Sequence, residues 1–521
     1  MIHPHDGTRT LTFFEILLGL LLVAIVLLQV ARRLGLPYPS MLALAGVGVA
    51  FLPGIPPIHI DPDTALALFI APVLLDAAYD YPLDAASRLW RPLTILVLGA
   101  VLVTAATIAG IGWWFANLPI AAAIALGAIV APPDAAAATA VANSVSLPRR
   151  TVAVLKGESL LNDATALLLF NGALAVQTAD GSNGEIALHL ALAVPGGLLL
   201  GVASGWLLQR VNRFVAGTLG GNILQFVGAF VVWLVAEHLE LSAVLAVVAS
   251  GVTIARSAHR DTSPRVRVHS FAVWTTVVFL LNVVAFLLMG MQARVILGRL
   301  PASELPGQLG IVGLVVAGVV IARMLVVMAW NVASRRWAWV RGSLEPPTVS
   351  QGVLVGWAGM RGLLSLATAF ALPPNFPQRD MVVLAAFAVV LATLVFQGLT
   401  LAPLIRLLKL DRLEDPEEEV AEARRRLTDT ALTRLKDFPD AKALHATFSA
   451  KQRADDDPDC AEWLDRQRDA MLAVVDAQRH ELDRLRRDET IGTEVFYQLQ
   501  EELDWRALTL VPEEEKRIEE A

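Results

Sequence analysis

The chain has 521 residues, 55% of them hydrophobic and 17% charged, with a mean hydropathy of +0.57. Soluble globular chains carry about 25% charged residues, so this composition excludes an ordinary water-soluble fold and points to lipid as the main solvent. The net charge of −7 divides unevenly: residues 411–521 hold 31 acidic against 18 basic side chains, while the 410 residues before them hold 18 against 24. A basic membrane part followed by an acidic tail gives no support to nucleic-acid binding. The single cysteine, Cys460, lies in the tail and excludes an intramolecular disulfide or a Cys-based zinc site.

The polar N-terminus, 1–10, leads into an apolar run without a small-residue cleavage pattern, read as a retained first span. With about 20 residues per span, the apolar runs predict thirteen helices, at 12–31, 38–53, 63–79, 92–116, 118–142, 151–176, 186–208, 222–238, 240–256, 271–292, 307–334, 351–372 and 381–408. The junctions near 53–63 and 236–242 are the places where re-entrant or merged helices compete with that count. Loop charges bear on it too. Sixteen Lys and Arg, from Arg32 and Arg33 through Arg149, Arg150 and Lys156 to Arg335, Arg336 and Arg341, fall in alternate loops. Only Arg294, Arg299 and Arg379 fall in the others. That is the positive-inside pattern of an odd number of spans, with the N-terminus outside and the tail in the cytoplasm. Residues 1–408 thus form the membrane domain. Residues 409–521, with acid–base mixing and leucines at helical spacing, form a helical cytoplasmic tail. That tail is either simply solvated or a surface for dimer contacts or a regulator.

Polar side chains inside the apolar runs carry the chemistry. Asp76, in the third span, is either an interfacial group or part of an access path. In the fifth span, Pro132 and Pro133 remove two amide donors and clash with the preceding turn, so the helix should break just before Asp134. Unpaired backbone at membrane depth survives only where it lines a cavity or is buried in protein. A broken helix with a carboxylate near mid-membrane is how many secondary transporters build a site. A kink with Asp134 bonded to a neighbour is the plainer alternative. The sixth span opens with Gly157-Glu158-Ser159-Leu160-Leu161-Asn162-Asp163. At about 100° per residue, Ser159 and Asp163 share one face and Glu158 and Asn162 a second. Ionisable groups at such depth cost roughly 2.5 kcal/mol or more each and by default mark an ion or proton path. Arg323, mid-way along the eleventh span, is too deep to snorkel and needs an anion, with Glu158 and Asp163 the deepest candidates. The twelfth span carries Gly356-Trp357-Ala358-Gly359-Met360-Arg361-Gly362, an interruption that corresponds to the fifth span if the seventh links two inverted halves. Tyr79-Asp80 resembles half of an intramembrane aspartyl protease site, but the second half is missing, as are His-Glu-x-x-His and Gly-x-Ser-x-Gly. A non-enzymatic role is expected, without a cofactor.

On these motifs, residues 12–408 resemble the monovalent cation:proton antiporters, the NhaP/NHE-type sodium–proton exchangers. The sixth-span stretch from Gly157 to Asp163, the Trp357–Gly362 stretch, and Leu241-Ser242-Ala243-Val244-Leu245-Ala246 carry the likeness. The resemblance implies an all-α polytopic fold of about thirteen helices in the cell (inner) membrane, with crossed, broken helices five and twelve, a mobile core and a dimerisation bundle. It implies that Asp163 carries the exchanged cation or proton, with Asp134 beside it, Ser159 and Asn162 on the same turns and backbone carbonyls near Pro133 contributing. It further implies that Glu158 pairs with Arg323 and that Arg361 stabilises the helix crossing. Asn162 before Asp163, in place of a second aspartate, goes with electroneutral exchange. The transported ions would be Na+ (or Li+ or K+) and H+. A K+/H+ antiporter of the same architecture is the alternative for the cation, and a cation channel the alternative for the mechanism. Pro133 departs from the family, which usually has a threonine there.

Overall fold

The computed structural model describes residues 6–34, 36–52, 61–81, 89–91, 93–134, 149–178, 183–215, 218–261, 264–299, 305–341, 346–410, 416–438, 440–454, 457–488 and 493–511. Every regular element among them is helical. The first helices are α1 (Asp6–Leu34) and α2 (Tyr38–Ala50), followed by α3, which runs through Pro62–Ala65, Leu66–Ile70 and Ala71–Tyr79 with a π turn in the middle. Next come α4 (Leu89–Phe115), α5 (Ile120–Val130), α6 (Arg149–Thr178), α7 (Asn183–Val215), α8 (Leu219–His238), α9 (Ala243–Asp261), α10 (Pro264–Leu297) and α11 (Leu305–Arg336). The twelfth predicted span is two helices, α12 (Val349–Trp357) and α13 (Leu363–Phe370), and α14 (Arg379–Leu407) follows. Seven of these, α4, α6, α7, α8, α10, α11 and α14, contain segments long and apolar enough to cross a membrane. The second half of the fifth predicted span and the 53–60 junction lie outside the described residues. At the other doubtful junction the chain makes two helices. Between His238 and Ala243 it turns through Glu240, whose φ of 55° is left-handed.

The chain divides into two compact units, Met1–Glu414 and Asp415–Glu520. In the first, the helices make three main sets of contacts. Helices α4, α5, α6, α11, α12 and α14 pack on one another, while α2 lies along α10 and α7 along α9. Lipid gives no hydrophobic drive to bring helices together, so close packing through small residues has to do it. The α2–α10 contact shows this most directly. A Cβ on Gly46 would overlap the Leu287 carbonyl, and one on Gly290 the Ala43 carbonyl, so the two backbones touch where neither has a side chain. The second unit holds the amphipathic helices α15 (Pro416–Leu435), α16 (Lys442–Arg453), α17 (Pro458–Arg487) and α18 (Thr493–Leu510). Val475 and Leu482 pack on Phe496, Leu503 and Ala507, and Arg479 pairs with Asp504 at 2.6 Å.

Gly290→Ala should force α2 and α10 apart and cost about 1–3 kcal/mol, read as a lower melting temperature of the purified protein in detergent. Gly19→Ala, where a Cβ meets nothing within 4 Å, should melt like the parent. Equal melting of both variants would contradict the backbone contact.

Candidate functional site

The site begins with two interrupted helices. Helix α5 ends at Val130, and Ala131 to Asp134 leave the helical path. The cause is local: Pro132 and Pro133 offer no N–H to the turn behind them. Between α12 and α13, the chain from Ala358 to Gly362 is likewise non-helical. The N-terminus of α12 is secured by a capping box, with Thr348 Oγ1 accepting from the Gln351 amide and Gln351 Oε1 accepting from the Thr348 amide.

The two breaks meet and satisfy each other. In an unbroken helix the amide of Asp134 would bond to the carbonyl of Val130. Instead it donates to the Met360 carbonyl at 2.6 Å. The Val130 carbonyl is taken by Arg361 Nε at 3.0 Å and that of Ala131 by Arg361 Nη2 at 3.4 Å, while Arg361 Nη1 donates to the Gly359 carbonyl. Arg361 is fully buried. At Gly362 any Cβ would collide with the Asp134 carboxyl, so glycine is what lets the second break approach the first.

Helix α6 brings its polar turns to this junction. Asn162 Nδ2 donates to the Pro133 carbonyl at 3.2 Å, tying α6 to the break. Asp163 is buried, Asp134 is half-buried, and the charges of the two carboxyls interact. Ser159 is half-buried on α6, and Asp76 half-buried on α3. Of the two anions open to Arg323, the structure selects Glu158. The pair is bidentate, with Nη1 to Oε1 at 2.6 Å and Nη2 to Oε2 at 3.0 Å, and Nη2 also reaches the Val355 carbonyl at 3.1 Å. Each partner is 1% exposed. The structure therefore brings Asp134, Pro133, Asn162, Asp163 and Arg361 to one junction and joins α6 to α11 through Glu158 and Arg323. Sequence reasoning missed Thr393 on α14, whose Oγ1 accepts the Arg361 N–H at 3.0 Å, and the Met360 carbonyl. A lone threonine in an apolar helix gives no signal of such a contact.

The family described as sodium/hydrogen exchanger, transmembrane, matches residues 18–407. The chain belongs to that family. It is thus a multi-pass membrane protein of the monovalent cation:proton antiporters, a family of transporters and not of enzymes, as its motifs led us to expect. Similar proteins include the sodium, potassium, lithium and rubidium/H+ antiporter of Bacillus pumilus, 30% identical over 424 residues. That alignment covers 77% of this chain and 62% of the relative, so the chain spans less than two thirds of that protein. An uncharacterised Na+/H+ exchanger of Mycobacterium tuberculosis is 28% identical over 545 residues, covering 97% of this chain and 99% of its own. The fold matches that of the sodium proton antiporter MjNhaP1 from Methanocaldococcus jannaschii at pH 8. The TM-score is 0.59 at 18% identity, over 75% of this chain and 99% of the other.

Removing one member of a buried ion pair leaves an unpaired charge and costs about 3–5 kcal/mol. Glu158→Ala should therefore lower the melting temperature sharply, and adding Arg323→Met to it should recover most of the loss. A single variant that melts like the parent would contradict the pairing.

Proposed function

We propose that the chain exchanges a monovalent cation, sodium foremost, for protons across the membrane, one for one, at a carboxylate site shared by the two ions. The observation that carries this reading is the buried Asp163 facing Asp134 at the break in α5. A proton and a cation neutralise the same carboxylate, and neither can do so while the other is bound. Each therefore expels the other. The formal charges around the junction support a single exchanged charge: three carboxyls, on Asp134, Glu158 and Asp163, stand against two guanidinium groups, on Arg323 and Arg361. Glu158 is fully engaged by Arg323, and one monovalent ion or one proton balances what remains.

In this reading Asp163 and Asp134 hold the cation and Ser159 adds a hydroxyl. Asn162 holds the broken helix at Pro133, and Asp76 lies on the access path. Arg361 fixes the crossing of helices five and twelve, which are equivalent members of an inverted repeat in a thirteen-span domain. The helices packed around the junction move together against a bundle through which two copies dimerise. The N-terminus lies outside the cell membrane, and residues 409–521 form a cytoplasmic unit open to a regulator or to dimer contacts. The Bacillus pumilus relative is named for four alkali cations, which favours K+/H+ exchange at the same site as the second reading.

In everted vesicles, a Na+ pulse should dissipate an imposed proton gradient through the wild-type protein, and Asp163→Asn should reduce that recovery to the vesicle background. Intact exchange in the variant would overturn the assignment of the site. Clamping the membrane potential with valinomycin and K+ should leave the wild-type rate unchanged, whereas a potential-dependent rate would overturn the one-for-one stoichiometry.

A further inference from the structure

One buried hydroxyl outside the carboxylate site touches its frame directly. Helix α14 is interrupted by a π turn, Thr393–Gln397, a feature that often accompanies functional sites. Thr393 opens that turn and is 1% exposed. Its Oγ1 donates back along its own helix, 2.8 Å from the Val389 carbonyl and 3.2 Å from that of Val390, and accepts the Arg361 N–H at 3.0 Å. Back-bonding threonines often bend helices, and here the π turn meets the break between α12 and α13.

The N–H that Thr393 holds belongs to the same peptide unit as the Met360 carbonyl. That unit is planar, with N–H and C=O pointing in opposite directions. Its carbonyl end accepts the Asp134 amide at 2.6 Å. A single rigid plate is thus pinned at one end by Thr393 and at the other by the backbone of the carboxylate opposite Asp163. Tilting the plate at the threonine end moves the acceptor at the aspartate end.

We propose that Thr393 is a positioning residue for the cation site. Its hydroxyl sets the tilt of the Met360–Arg361 peptide, and through that peptide the place of Asp134. This inference rests on the reading that Asp134 and Asp163 hold the cation. Thr393 itself does not touch the ion. Valine is close to threonine in shape but lacks the hydroxyl, so it loses the back-bonds to Val389 and Val390 and leaves the Arg361 N–H buried without its acceptor. Serine keeps the hydroxyl.

The test compares Thr393→Val and Thr393→Ser in proteoliposomes and in detergent, reading the KM for Na+ separately from the maximal rate. Na+-dependent stabilisation against heat gives a second measure of binding that does not require transport. Loss of a buried hydrogen bond at the frame should raise the KM of the valine variant about tenfold and shift the Na+ stabilisation curve to higher concentration by a similar factor. The serine variant should stay within about twofold of wild type. A valine variant with wild-type KM overturns the proposal even if it melts earlier, because a merely structural threonine lowers stability and the amount of active protein without changing cation affinity. A serine variant as impaired as valine overturns it as well, since the hydroxyl would not be the cause. Should the valine protein fail to fold, Thr393→Ala is read in the same two assays against the same outcomes. Failure of the underlying site reading shows separately, as wild-type protein that neither exchanges Na+ for protons nor is stabilised by Na+.

Discussion

The structure depends on an exchange of hydrogen-bond partners between two helices that both fail to continue. Inside a bilayer no water is at hand to satisfy a stray amide or carbonyl, and each orphan costs several kcal/mol. Two adjacent prolines make one break unavoidable, and a run of glycines permits the other. Neither break would be tolerable alone. Brought together, Asp134 gives its amide to Met360, and Arg361 fills the carbonyls of Val130 and Ala131. The backbone is thus stabilised by the same arrangement that places the half-buried Asp134 carboxylate at the junction.

Charge is handled by the same economy of partners. Arg323 and Arg361 both lie against Gly359, where a Cβ would meet each of them. They are nonetheless used differently. Arg323 takes a carboxylate with a two-pronged contact, the geometry in which a buried pair offsets its own desolvation best. Arg361 takes only main-chain oxygens. Its positive charge thus lies at the same junction as Asp134 and Asp163 without being taken up in a two-pronged carboxylate pair. In the proposed function, those two acids form a site that one small cation or one proton completes.

Much of this was legible in the sequence, and the reasons differ residue by residue. Long apolar runs mark helices because lipid demands them. Pro132 and Pro133 mark a break because proline has no N–H, and Asp134, Glu158 and Asp163 stand out because acids are rare at that depth. Residue pattern alone left the partner of Arg323 open between two acids, since helix periodicity orders side chains around one helix but not between helices, and only the family resemblance pointed to Glu158. The contacts of Asn162 with Pro133 and of Thr393 with Arg361 were not legible. Each ends on a main-chain atom, and main-chain atoms leave no residue pattern to read. The meeting of the two breaks was expected from the family resemblance; its hydrogen bonds had to come from the coordinates.

The account turns on one carboxylate serving both ions. Calorimetric titration of the purified protein with NaCl, repeated in buffers of different ionisation enthalpy at a pH where the site holds its proton, measures protons released per cation bound. The account predicts one proton released for each Na+ by the wild-type protein and none by Asp163→Asn. Sodium binding to the wild type without proton release would contradict it.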